Sequence, residues 1–114
     1  MDKEIQIKRI AIKSATKIDF IAINEIICCK AEDNYTSIYL VNNKKITVSK
    51  PLKHFDGMLS EEAGFYRVDK SSFVNLNFVE SYLKDKDIIV LENSVEVTVS
   101  RRRKKEFLDK FKTL

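Results

Sequence analysis

Polar islands cut this chain into short apolar runs, and that punctuation limits its folds more than any other feature. Ile18 to Ile23, Ile26 to Cys29, Thr36 to Val41 and Ile88 to Leu91 are apolar or β-branched stretches too short for ordinary helices. The run from Thr36 to Val41 is β-branched and aromatic, as strands prefer. Val95, Val97 and Val99 alternate with Glu96 and Thr98, which predicts a strand with one wet face. Ile18 to Ile23 and Ile26-Ile27-Cys28-Cys29 are apolar runs, which predicts strands covered on both faces. Many short strands, two helices and no βαβ alternation imply an antiparallel, mainly β domain.

The punctuation itself is specific. Ile5 and Ile7 alternate with polar residues, and Ile10 and Ile12 do so with the opposite parity, which predicts a bulge near Lys8–Arg9. Ser14 to Lys17 reads as a turn, and Asn24-Glu25 as a brief break between strands. Asn42-Asn43 reads as a hairpin turn, because Asn tolerates the positive φ that tight turns require. Lys44 to Val48 then returns antiparallel. Ser49-Lys50-Pro51 predicts a helix start, with Ser49 or Lys50 capping and Pro51 in the first turn. Leu52, Phe55 and Leu59 would share its buried face, and Gly64 ends the segment. Leu76 to Val79 reads as a turn or single helical turn. Asp85-Lys86-Asp87 marks a second hairpin between Glu80–Lys84 and Ile88–Leu91, and Glu92-Asn93-Ser94 another turn. Ser100 is the expected cap of a final helix, with Phe107, Leu108, Phe111 and Leu114 on one face. No repeat, linker or boundary interrupts residues 1–114, so they read as one domain.

The chain has 114 residues, 44% of them hydrophobic, enough for a modest core without metals or disulfides. Cys28 and Cys29 are adjacent, and with one His they leave too few ligands for a zinc site. They read as two reduced thiols on a strand, one in the core, in a cytoplasmic protein. No apolar run approaches the roughly 20 residues of a membrane span. Met-Asp-Lys-Glu at the N-terminus lacks the apolar segment of a secretory signal. Net charge is +4, and residues 100–114 alone carry +5, with seven Lys or Arg against Glu106 and Asp109. The excess positive charge therefore sits in one segment, the footprint of a polyanionic partner.

Two stretches carry the chemistry. Phe65 to Asn75 brackets a polar island, Asp69-Lys70-Ser71-Ser72, with apolar flanks at 65, 66, 68, 73 and 74. The flanks read as strands and the island as a turn stabilised by Ser and Asp side chains. Asn75 follows two core residues, so its amide must find buried partners and should pin the local backbone. The second stretch is Arg101-Arg102-Arg103-Lys104, the first turn of the final helix. A helix N-terminus carries partial positive charge, so each cation there costs a few tenths to about 1 kcal/mol. A phosphate or guanine edge would compensate, because Arg binds either through two parallel hydrogen bonds.

With Ala31-Glu32-Asp33-Asn34-Tyr35 upstream and Val99-Ser100-Arg101 downstream, the motif Phe65-x-Arg67-x-x-Lys70-Ser71-x-x-Val74-Asn75 resembles the LytTR family of bacterial DNA-binding domains. The resemblance runs from about Ile18 to Phe111. It implies an elongated domain of small antiparallel sheets packed side by side, the output module of a response regulator in a two-component system. It also implies three loops along one side that face DNA. The outer loops would read successive major grooves, with Asn34 and Arg102 as base readers and Tyr35 on sugar or phosphate. The middle loop, with Lys70 and Ser71, would lie over the minor groove between them. Arg101, Arg103 and Lys104 would neutralise phosphates. Many family members have His where this chain has Asp69, and an acid beside phosphate repels. Asp69 would then point back to Lys70, Arg67 or a turn amide. Glu32 and Asp33 pose the same question for the first loop.

The reading is thus a sequence-specific, double-stranded-DNA-binding transcription regulator. No cofactor, membrane or small-molecule substrate is expected. Pairing of two copies on repeated half-sites fits the resemblance, although no interface is visible. The binding unit uses nearly all 114 residues, which hold no receiver domain, so the chain is either a stand-alone regulator or a fragment of a longer one. A protein-interaction module with a basic C-terminal helix is the alternative, and basic plus aromatic residues also suit RNA. His54 lies on the expected exposed side of its helix, with no second His and no nucleophile beside it. Asp85, Asp87 and Glu92 lack the spacing and glycine of a calcium loop. No glycine-rich phosphate loop, nucleophile elbow or carboxylate pair argues for an enzyme.

Overall fold

Strand β3 (Ile26–Glu32) is the middle of a five-stranded antiparallel sheet, and its side chains divide the protein into two cores. Ile26 and Cys29 face one core; Ile27 and Cys28 face the other. Strict alternation would not put the neighbours Ile27 and Cys28 on one side. A bulge does so: the register against strand β4 (Tyr35–Leu40) shifts between Ile26 and Cys28. The computed structural model that gives this picture describes residues 8–114.

The remaining elements are ordered around β3. Strand β1 (Arg9–Lys13) pairs with β2 (Ile18–Ala22) as a two-stranded sheet. The large sheet adds β5 (Lys44–Val48), β6 (Phe65–Asp69) and β7 (Ser72–Asn75) in the order β5-β4-β3-β7-β6. Strands β8 (Val79–Leu83), β9 (Ile88–Leu91) and β10 (Glu96–Thr98) form a third antiparallel sheet. Helix α1 (Arg101–Asp109) follows. Ile10, Ile12 and Ile21 of the small sheet cover one face of the large sheet, with Leu52, Phe55 and Leu59. Contrary to the expectation for Ile18–Ile23, β2 is covered on one face only: a two-stranded sheet has no layer on its outer side, and Ile18 and Phe20 are exposed there. Ile89, Leu91, Val97, Val99 and Phe107 cover the other, against Tyr66, Val68 and Val74.

Both thiols are buried, one in each core, where the sequence suggests a single core thiol. Burial pushes Cys28 up to about 12 despite the opposing charge of Lys30, and raises Cys29 as well. Neither is an accessible nucleophile.

The turns follow their residues. Asn42 and Asn43 both adopt positive φ in the β4–β5 turn. Asn75 is 2% exposed; its Nδ2 donates to the Ile26 carbonyl at 3.0 Å and its Oδ1 accepts from Asn77 N–H at 3.0 Å. Gly64, at φ +91°, packs beside this pair, and a Cβ there would sit 2.8 Å from Asn77 Nδ2. The parity switch around Ile5 and Ile7 lies outside the described residues.

Two helix expectations need correction. The segment after Pro51 makes only a single 3-10 turn, Leu52–Phe55, and Pro51 itself holds the N-terminal boundary with no side-chain cap from Ser49 or Lys50. Leu52, Phe55 and Leu59 are buried as expected. One 3-10 turn followed by a reverse turn satisfies their spacing, and Gly57 opposes helix propagation. Helix α1 ends at Asp109, and only its Phe107 is buried. Leu108, Phe111 and Leu114 are exposed, although Phe111 still packs edge-on against Phe107, ring centres 5.5 Å apart. Ser100 stands at the N-cap, but its hydroxyl makes no capping bond. Its carbonyl accepts from the backbone N–H of Arg103 and Lys104 instead.

Candidate nucleic-acid interface

The β6–β7 turn is held from both sides. Asp69 Oδ1 accepts from the Ser71 backbone N–H at 2.6 Å, an Asx turn. Its carboxylate therefore points back into the loop rather than out toward a polyanion. Arg67 spans the same loop: Nε donates to the Asp69 carbonyl at 3.2 Å, and Nη2 to the Lys70 carbonyl at 2.6 Å. Arg67 Nη1 reaches Asp56 Oδ1 at 3.3 Å, and the guanidinium lies 5.3 Å from the Phe73 ring centre. With the backbone so fixed, the Lys70 side chain is left in solvent.

The β3–β4 turn lies at the same end of the sheet. Asp33 takes φ +57°, and Glu32 and Tyr35 pair across the hairpin. Glu32 Oε2 accepts from the buried Ser37 hydroxyl at 3.0 Å, which turns this acid back along the sheet. Asn34 is exposed, and Tyr35 is 48% exposed, so Tyr35 is a surface residue and not core.

The third loop divides its cations. Arg101 and Arg102 are exposed and, among the described residues, make no ion pair or side-chain hydrogen bond. Arg103 is half-buried and donates from Nη1 to the Arg67 carbonyl at 3.0 Å. Lys104 Nζ pairs with Asp87 Oδ1 at 2.9 Å and lies 5.8 Å from the Tyr82 ring centre. The Tyr82 hydroxyl donates to the same Asp87 oxygen. Hydrogen bonds from Tyr82 and Lys104 hold the Asp87 carboxyl below its usual range, while the bond to Asp87 raises Lys104.

Backbone bonds bring the loops to one edge. Ala31 N–H donates to the Ser71 carbonyl at 2.8 Å, joining the first loop's strand to the middle loop. Ser100 N–H donates to the Val68 carbonyl at 3.0 Å, joining the third loop to β6. Lys70, Ser71, Arg102 and Arg103 line one groove of about 500 Å³, with Arg67, Asp69 and Ser100. Asn34 and Tyr35, on the β3–β4 turn, do not line it, and neither do Arg101 and Lys104.

From sequence, Arg67 is only a possible partner of Asp69, and Asp87 only a hairpin residue. The signal for Arg67 is its place in the Phe-x-Arg motif. Asp87 gives no local signal for its ion pair, because Lys104 is in α1. Among the described residues, no group of three or more His, Cys, Asp or Glu is placed to hold a metal, and no helix is long and apolar enough to cross a membrane.

The model of the LytTr DNA-binding domain family matches residues 16–112. The chain belongs to the LytTR family. One solved structure with this fold is the LytTr DNA-binding domain of a protein described as a putative methyl-accepting/DNA response regulator from Bacillus cereus. It aligns with TM-score 0.75 over 91% of this chain and 96% of that one, at 19% identity. That degree of identity carries the fold, with its three antiparallel sheets and one α-helix. No curated protein sequence matches the chain.

Proposed function

We propose that this LytTR domain is a sequence-specific, double-stranded-DNA-binding transcription regulator, with residues 1–114 acting as one binding unit. The observation that carries the reading is the gathering of three polar loops at one edge, with Lys70, Arg101 and Arg102 exposed there and unpaired among the described residues. Cations at a helix N-terminus oppose its dipole, so exposed ones with no protein partner suit an external anion. Asn34 and Arg102 read base edges in successive major grooves, and Lys70 enters the minor groove between them. Tyr35, Ser71 and Arg101 hold sugar and phosphate. Arg103 and Lys104, already engaged by the protein, add positive potential more than direct contacts.

Selection from a random duplex DNA pool, at moderate salt with heparin present, tests this. A single enriched motif supports sequence-specific readout. Weak binding that salt abolishes, with no motif enriched, reduces the edge to an electrostatic patch. Preference for single strands over duplex would favour RNA.

One observation favours a protein contact as a second reading. Ile18 and Phe20 are 48% and 61% exposed on the outer side of the β1–β2 sheet. A Phe20→Ser variant with unchanged DNA selection would separate that surface from the DNA edge.

A further inference from the structure

We propose that Arg67 is a positioning residue that sets the middle loop and the third loop at a fixed spacing before DNA arrives. The proposal rests on the DNA-binding reading above. Arg67 and Val68 are consecutive in β6, and between them they hold both loops. The Arg67 side chain bonds two successive carbonyls of the middle turn, those of Asp69 and Lys70. The Arg67 carbonyl accepts from Arg103, and the Val68 carbonyl accepts from Ser100 N–H, at the start of α1. One strand segment therefore fixes Lys70 on one side and the first turn of α1 on the other.

The guanidinium is committed to this task. Three of its N–H groups are donated within the protein, Phe73 packs against its face, and its side chain is only 29% exposed. The fork shape matters more than the charge, because an ammonium cannot donate in plane to two carbonyls and a carboxylate at once. Asp69 completes the brace from inside the turn through the Ser71 amide. A reading surface built this way loses little freedom on binding, which is how preorganisation strengthens a complex. Arg67 thus acts through Lys70 and Arg102 and not on DNA itself.

Hydrogen exchange on the free 114-residue chain tests the brace without DNA. In Arg67→Lys the Ser71 and Ser100 amides should exchange about tenfold faster, with β4 amides unchanged as the control for folding. In duplex binding the same variant should lose about tenfold in affinity for the selected site while non-specific affinity and salt dependence stay at wild-type values. Asp56→Ala, which removes one partner of the guanidinium at an exposed position, should shift both readouts the same way by less. Unchanged exchange at Ser71 in Arg67→Lys overturns the proposal. So does equal loss on every sequence in Arg67→Gln with a shallower salt slope, the mark of a direct phosphate contact. If the wild type selects no DNA sequence, the functional reading fails, and the exchange result still decides whether Arg67 braces the loops.

Discussion

In the first turn of α1, Arg101 and Arg102 stand in solvent while Arg103 and Lys104 turn back onto the protein. The four are consecutive and alike in charge. Arg103 reaches the Arg67 carbonyl and Lys104 reaches Asp87. The outer pair has no such partner among the described residues. Helical geometry alone divides them, because successive residues point about 100° apart and only some of them face the sheets. A run of like charges in sequence is therefore two devices in space, one that docks the helix and one that the helix presents.

The comparison can be broken most severely by removing what holds both pairs in place. Phe107 is 1% exposed and packs against the rings of Tyr66 and Tyr82, with centres 6.5 and 6.2 Å away. Phe107→Ala should cost about 3–5 kcal/mol in chemical denaturation and abolish the difference between the pairs. Arg103→Ala should cost about 1 kcal/mol of stability through its lost hydrogen bond; an unchanged denaturation midpoint would move it to the outer class. Arg101→Ala should leave stability alone, weaken binding alike on all duplexes and lower the salt slope by about one. Asp69→Asn keeps an acceptor for the Ser71 amide and removes a charge, so DNA affinity at low salt should rise severalfold, and a fall would mean that the charge itself is needed.

The smallest effect is the pH dependence of the Lys104–Asp87 pair. The Asp87 pKa is depressed, so its contribution is full above the ordinary carboxylate value and fades as pH falls through the lower folded value. The Lys104 pKa is raised, so its contribution is full below the ordinary lysine value and fades as pH rises through the higher folded one. Wild type should melt slightly above Asp87→Asn at neutral pH, and the gap should close in strong acid. A gap that widens as pH falls below the carboxylate range would contradict the pairing.

Much of the fold is legible in the sequence because its signals are local. Apolar runs mark the strands, Asn42-Asn43 marks a turn, and Asn75 announces a buried amide. The Asp69 carboxylate turns to a loop amide, one of the partners its position allows. The bulge in β3 is not legible, since a continuous apolar run hides which face each residue takes. The 3-10 turn at Leu52–Phe55 passes for a longer helix because its apolar spacing suits either. The end of α1 is equally deceptive, because Leu108, Phe111 and Leu114 keep helical spacing after the helix has lost its sheet to pack on. At the site, the motif residues are legible, and their division of labour is not. Arg67 and Arg103 meet although 36 positions apart in the chain, and Lys104 meets Asp87 from another element, so neither contact leaves a local trace.

The most direct test compares Arg102→Ala and Arg103→Ala on a duplex panel in which each base pair of the selected site is replaced in turn. Arg102→Ala should flatten preference at one base pair, by roughly 1–3 kcal/mol, and leave the other positions as they were. Arg103→Ala should keep the preference at that pair. Equal loss for Arg102→Ala on every duplex would make Arg102 a phosphate contact and contradict its role as a base reader, and a change of preference with Arg103→Ala would contradict the division of the helix turn into presented and docked cations.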